Sequence, residues 1–163
     1  METKLYADLQ ALNIPYDVVK HPAVFTVEES RAVDGDIPGA HTKNLFLKDA
    51  GGRFWLVTVP AALRADLKAL PAAMGAKRVS FGKGEDMERL IGVTPGSVTP
   101  LGAIADADGA VTIVLDATLA VAERVNCHPL RNTATLGLSG ADLVRALTHW
   151  GHPPVIIDVP AQG

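Results

Sequence analysis

Between residues 44 and 48 apolar and polar side chains alternate: Leu45 and Leu47 fall on one side, Asn44, Phe46 and Lys48 on the other, which is the period of a strand. Asp49-Ala50-Gly51-Gly52 supplies turn chemistry. Phe54-Trp55-Leu56-Val57-Thr58-Val59 then returns as a second, more apolar strand, so the pattern predicts a β-hairpin. Its entrance has a different character. Thr42, Lys43 and Asn44 open with a cation and an amide a strand that otherwise favours burial, and mark that edge as the floor of a polar site.

Upstream, Leu5, Leu9 and Leu12 recur at helical spacing and predict a short amphipathic helix over residues 3–12 with Thr3 as its cap, ended by Asn13-Ile14-Pro15. Residues 16–20 read as a strand closed by His21-Pro22. Thr26-Val27-Glu28-Glu29 is a capping-box arrangement that predicts a helix to Val33; Thr26 is either its cap or a ligand contact. Residues 34–39 are rich in turn formers and read as a loop.

Downstream, Pro60 predicts a helix through residues 61–70 that buries Leu63, Leu67 and Leu70. Residues 78–81 read as a short strand, and Gly84 to Ile91 as a helix burying Met87, Leu90 and Ile91. Residues 92–102 hold three Gly and two Pro, the composition of a shaped loop. Glycine lets backbone N–H groups approach a ligand and proline fixes the chain direction, although a plain connection has the same composition. A strand is then expected over 101–104, a hairpin turn at Asp106-Ala107-Asp108-Gly109, and strands over 111–115 and 121–125. Residues 133–138 alternate as a half-buried strand. Ser139 caps a last helix over 140–150 that buries Leu143 and Leu147 and stops at Gly151. Residues 155–157 can add a closing strand.

Composition narrows the class. A chain of 163 residues, 48% hydrophobic and 20% charged, is expected to be one globular domain with a real core. The net charge of −3 excludes a generally basic nucleic-acid coat. Nine of the 15 Lys and Arg lie between Lys43 and Arg89, a bias that fits a solvated face as well as an RNA site. Cys127 is the single cysteine, so no intrachain disulfide forms and a thiolate metal cluster is out of reach. The polar amino terminus and the lack of an apolar run near the roughly 20 residues a bilayer requires make the cytoplasm the expected location.

Histidines 21, 41, 128, 149 and 152 show no paired metal spacing. There is no nucleophile elbow and no Walker loop, although Gly82-Lys83-Gly84 superficially suggests phosphate binding. Cys127 beside His128 suggests a thiol nucleophile, but neighbours on a strand face opposite ways, and a buried structural cysteine is the better reading. His128 is either a satisfied loop histidine or part of a site.

Four segments in order resemble the YbaK/ProRS-associated editing family, free-standing relatives of the editing domain inserted in bacterial prolyl-tRNA synthetase. They run from His21 to Glu29 (HPAVFTVEE), from His41 to Leu47 (HTKNLFL), from Gly96 to Gly102 (GSVTPLG) and from His128 to Thr135 (HPLRNTAT). The chain looks nearest the subgroup called ProXp-ala or PrdX. One departure is Leu130-Arg131, where many relatives carry Asn-Asp. The resemblance implies an α+β fold with a mixed, curved, barrel-like sheet surrounded by helices. It also implies hydrolysis of alanyl-tRNA(Pro) by water, assisted by the neighbouring ribose hydroxyl of the substrate, without a cofactor or metal.

On that resemblance Lys43 holds the phosphate and ribose of the terminal adenosine, and Gly96 and Ser97 offer backbone N–H groups to the developing oxyanion. Pro100 shapes the loop, while Asn44, His128 and Thr26 contact or orient the substrate. The pocket for the amino acid is expected from residues 24–33 and the Lys43 hairpin. The expected partners are the acceptor end of mischarged tRNA(Pro) and prolyl-tRNA synthetase, with no membrane and no DNA. Two alternatives stay open: a deacylase for cysteinyl- or another small-residue tRNA, and a tRNA- or synthetase-binding accessory protein without turnover.

Overall fold

The computed structural model describes residues 1–23 and 37–163. Its elements, in chain order, are α1 (Glu2–Ala11), β1 (Asp17–Lys20), β2 (Ala40–Asp49), β3 (Phe54–Pro60), α2 (Leu70–Met74), β4 (Val79–Phe81) and α3 (Gly84–Ile91). Two 3₁₀ turns follow, Pro95–Ser97 and Pro100–Ala105, then β5 (Val111–Asp116), α4 (Ala117–Ala120), β6 (Val125–Cys127), β7 (Ala134–Leu138), α5 (Gly140–His149) and β8 (Val155–Ile157). The strands form one eight-stranded mixed sheet in the order β1-β7-β6-β2-β3-β5-β8, with β4 set against β2 off this path. Among the described residues no helix is long and apolar enough to cross a membrane.

The hairpin organises the sheet. Thr42 to Lys48 pair antiparallel with Pro60 to Phe54, and Asp49 closes the turn by accepting the Gly51 and Arg53 N–H groups and Trp55 Nε1. Because strand side chains alternate, this hairpin feeds two apolar layers. Phe46 and Leu56 join the main core, which α1, α3, α5 and the second 3₁₀ turn cover through Leu5, Leu9, Met87, Ile91, Leu101, Leu143 and Leu147. Leu47, Trp55, Val57 and Val59 face the other way into a smaller core closed by Leu70 and Met74 of α2 and by Val159.

That second face is apolar over only half the sheet. Over β1, β7, β6 and the first residues of β2 its side chains are Asp17, Val19, Thr135, Asn126 and His41, as the registers of these strands require. The sheet is therefore an oil-filled layer on one side and a divided surface on the other.

Several expectations change. Residues 61–70 are not a helix: only Leu70–Met74 is helical, because the backbone of Arg64 to Asp66 pairs with the carboxy-terminal tail, through Asp66 N to Pro160 O, Gln162 N to Arg64 O and a bridge between Ala65 and Ala161. Residues 101–104 are 3₁₀ and not a strand, with Thr99 Oγ1 accepting from Leu101 N at the turn's start. Asp106 begins no hairpin. Its carboxylate accepts from Ala110 and Val111 N–H, launching β5 parallel to β3.

The strand expected over 121–125 starts only at Val125, after the short helix α4 that Asp116 caps. Strand β7 is buried along its whole length instead of half-buried. Thr3 does not cap α1, whose first turn starts at Met1. The helix expected after Thr26 lies outside the described residues. Ser139 caps α5 as expected, accepting from Asp142 N.

Candidate active site

The polar entrance of the hairpin coincides with an opening in the sheet. On the edge away from β3, β2 meets β6 in parallel only at Ala40 and His41, and meets β4 only from Leu47 to Asp49, extended by Gly82 N donating to Phe46 O. Thr42 Oγ1 donates to Asn126 O at 2.7 Å. Between these two partners, residues 43–45 have no strand neighbour on that edge among the described residues.

Lys43 and Asn44 sit at the opening and point to opposite faces. Asn44 pairs across the hairpin with Thr58. Its Oδ1 accepts from Thr58 Oγ1 at 2.6 Å, and its Nδ2 donates to Val98 O at 3.0 Å. The Gly–Pro loop is thus docked on the amide beside Lys43, from the main-core side. Lys43 pairs with the buried Val59 on the second face, at the border where that face turns from polar to apolar. It is half-buried, and its ammonium forms no ion pair or hydrogen bond among the described residues.

Within the loop, Ser97 N–H donates to Thr94 O, closing the first 3₁₀ turn. Of the two backbone donors expected from the sequence, only that of Gly96 lacks a partner among the described residues. Ser97 is buried, and its hydroxyl, not its N–H, is the group left without a hydrogen bond there. Pro100 is buried at the first position of the second turn, where it fixes the chain direction. Thr26, expected to contact the substrate, and residues 24–33, expected to line the amino-acid pocket, lie outside the described residues.

His128 follows Cys127, whose side chain belongs to the main core, so alternation carries His128 to the face of Asn126, His41 and Lys43. Its Nδ1 lies 3.2 Å from Ala134 O. A carbonyl only accepts, so Nδ1 is the donor in this contact. Across β7 from it, His21 spans Pro22 O through Nδ1 and Thr135 Oγ1 through Nε2, both at 2.9 Å. The loop that follows His128 is tied to α1 by Arg131, whose Nε donates to Glu2 at 2.9 Å while its Nη1 donates to Thr133 Oγ1. Leu130 in this loop adopts φ 69°, a left-handed conformation that suits Asn better than Leu. Burial pushes the Cys127 thiol up to about 12, so it stays protonated and is no nucleophile.

Sequence reasoning missed the polar residues on β6 and their partner on β2. Asn126, 4% exposed, donates through Nδ2 to Pro38 O at 3.0 Å and contacts His41 Nδ1 at 3.3 Å, while its Oδ1 accepts from Arg124 Nε at 3.0 Å. Arg124 in turn grips Asp17 with both terminal nitrogens, at 2.5 and 2.7 Å, and these hydrogen bonds hold the Asp17 carboxyl below its ordinary range. The signal was available: Arg124, Asn126 and His128 alternate with Val125 and Cys127. Among the described residues no group of three His, Cys, Asp or Glu could hold a metal.

Comparison with known proteins gives the family and the fold. The family model for the aminoacyl-tRNA editing domain matches residues 21–146. A zebrafish (Danio rerio) protein named prolyl-tRNA synthetase associated domain-containing protein 1 is 38% identical over 151 residues, covering 91% of this chain and 82% of its own. The prolyl-tRNA editing protein ProX of Acetoanaerobium sticklandii is 36% identical over 138 residues, with 84% of each chain covered. In fold, the chain resembles the crystal structure of a candidate trans-editing enzyme for prolyl-tRNA synthetase, with TM-score 0.74 and 21% identity over 99% of this chain and 97% of that one. The chain belongs to the aminoacyl-tRNA editing domain family.

Proposed function

We propose that this protein is a trans-editing hydrolase that removes alanine from mischarged tRNA(Pro) by cleaving the aminoacyl ester at the 3′ end. The observation that supports this reading most is the break in strand pairing at residues 43–45: Lys43 on one face, whose ammonium has no partner among the described residues, the Gly–Pro loop docked on Asn44 from the other, its Gly96 N–H without a partner among the described residues, and His128 on the Lys43 face with Nδ1 held by Ala134 O. The relative named a prolyl-tRNA editing protein favours tRNA(Pro) over other acceptors.

In this reading Lys43 binds the phosphate and ribose of the terminal adenosine as a compact cation. Asn44 holds the Gly–Pro loop at the distance its bond to Val98 sets, and the Gly96 N–H and Ser97 hydroxyl meet the carbonyl oxygen as negative charge develops on it. Water is the nucleophile. The adjacent ribose hydroxyl helps to activate it, and His128, its ring held by Nδ1 donating to Ala134 O, helps to orient the substrate. The protein contributes position and electrostatics, worth several powers of ten when the geometry is held.

Selectivity has a size argument. A synthetase pocket built for proline excludes alanine poorly, because a missing methylene or so is worth only ~1–3 kcal/mol. A second site too small for proline reverses the preference. The test is single-turnover deacylation with a panel of alanyl-, cysteinyl-, seryl- and prolyl-tRNA(Pro). Fast loss of alanine with survival of proline is expected. Equal loss of both contradicts the size argument, loss of another residue alone moves the substrate, and no turnover leaves only a binding role, with prolyl-tRNA synthetase the first partner to try.

A further inference from the structure

Building on the editing reading, we propose that Arg124 is a positioning residue for the site: through Asn126 it fixes the tautomer and orientation of His41 on the face that carries Lys43. The chain of contacts starts where two glycines make room. An ideal Cβ at Gly39 would lie 2.7 Å from Arg124 Cγ, and one at Gly137 would overlap the guanidinium. The Arg124 side chain therefore lies in a channel between the residue that enters β2 and the middle of β7, clamped at its tip by Asp17.

From that fixed place Arg124 Nε donates to Asn126 Oδ1. This decides which way the Asn126 amide points. The reversed amide would set donor against donor at Arg124 and oxygen against oxygen at Pro38. With Oδ1 committed to Arg124, Nδ2 faces both Pro38 O and His41 Nδ1. An amide nitrogen only donates, so His41 Nδ1 must be the acceptor and the ring proton must sit on Nε2.

The position matters because the junction is slight. Strands β2 and β6 share only the pairs Ala40 with Val125 and His41 with Asn126, supplemented by Ala40 N donating to Arg124 O and Thr42 Oγ1 donating to Asn126 O. His41 and Lys43 are two residues apart on one strand, hence on one face with about 7 Å between their Cα atoms. A shift at the junction moves both. The Asp17 end of the ion pair is exposed, with 59% of its side chain accessible against 23% for Arg124, so loss of the ion pair alone weakens the fold little.

The test uses the full chain as wild type, Arg124→Ala, Gly137→Ala and the double variant. Gly137→Ala removes no hydrogen-bonding group from the chain and displaces only the guanidinium. Long-range proton–nitrogen NMR reads the His41 ring, and single-turnover deacylation of alanyl-tRNA(Pro) reads the site. The wild type should show His41 as the Nε2–H form. Both single variants should populate the Nδ1–H form and lose about tenfold in rate, within the range a displaced group costs, and the double variant should be no worse than Arg124→Ala.

A wild-type ring already in the Nδ1–H form overturns the proposal, as does a ring unchanged in the variants or a ring that changes while the rate does not. If Arg124→Ala does not fold, Gly137→Ala decides alone. Inactivity of the wild type on every mischarged tRNA sinks the editing reading instead, and the ring signal then still accepts or rejects the link from Arg124 to His41.

Discussion

Beyond Leu45, strand β2 runs between two apolar layers; before Asn44, it runs among hydrogen-bonding side chains. The far half is paired on both edges, by β3 and β4, with Phe46 and Leu47 buried on opposite faces. The near half has a two-residue parallel contact with β6, and its neighbours are Asn126, Thr58 and the Val98 carbonyl. One strand thus serves two purposes. The sealed half resists unfolding because its burial is large and non-directional, and the open half holds chemistry because its contacts are few and directional. Changes in the first should cost stability, and changes in the second should cost turnover.

The largest loss of stability is expected in the sealed half. Trp55 is 2% exposed and lies in the smaller core. Trp55→Ala should destabilise by about 3–5 kcal/mol, read by urea unfolding, and leave any remaining folded protein active. Next comes Asp49, whose carboxylate ties the hairpin turn to Trp55. Asn at this position turns a donor toward donors, and Asp49→Asn should cost about 2–3 kcal/mol without altering the rate of deacylation per folded molecule.

The same carboxylate sharpens the comparison through pH. Burial alone raises the Asp49 pKa, but hydrogen bonds from Arg53, Trp55, Lys77 and Gly51 outweigh it and the carboxyl titrates below its ordinary range. A depressed folded-state pKa contributes stability that is complete above the unfolded value, about 3.9, and is lost as pH falls through the folded value. Melting temperature should therefore hold between about pH 7 and 5 and fall below about pH 4, less steeply in Asp49→Asn.

The smallest effect is expected at Leu130. Its left-handed backbone costs about 1–2 kcal/mol for a non-glycine residue, while its half-buried side chain packs on the main core. In Leu130→Asn the gain and the loss offset, and stability should change by less than about 1 kcal/mol in thermal unfolding. A large change of either sign would mean that this loop is held by packing or by strain alone.

Much of the sealed half was legible in the sequence. Leu45, Leu47 and the run from Phe54 to Val59 carry a period that only a strand satisfies, and Ser139 and Gly151 bracket α5 as local chemistry predicts. What escaped depended on distant partners. Leu63, Leu67 and Leu70 have helical spacing, yet the backbone at Arg64 to Asp66 pairs with the tail at Pro160 to Gln162, and no local signal announces a partner so far along the chain. The site divides in the same way. Lys43 and Asn44 stand out as polar residues in an apolar strand. That they face opposite ways follows from alternation, but that Asn44 holds the Gly–Pro loop and Asn126 holds His41 is a matter of long-range register. The use of Ser97 N–H within its own turn was hidden because glycine and proline predict a loop without predicting which N–H groups it keeps.

The account stands or falls on Lys43. Lys43→Ala should unfold at a temperature within a few degrees of the wild type, because its ammonium has no hydrogen-bonding partner among the described residues and the substitution leaves the strand pairing intact. Its single-turnover rate on alanyl-tRNA(Pro) should fall by about 100-fold or more. A variant that deacylates at the wild-type rate contradicts the placement of the site at the opening in the sheet.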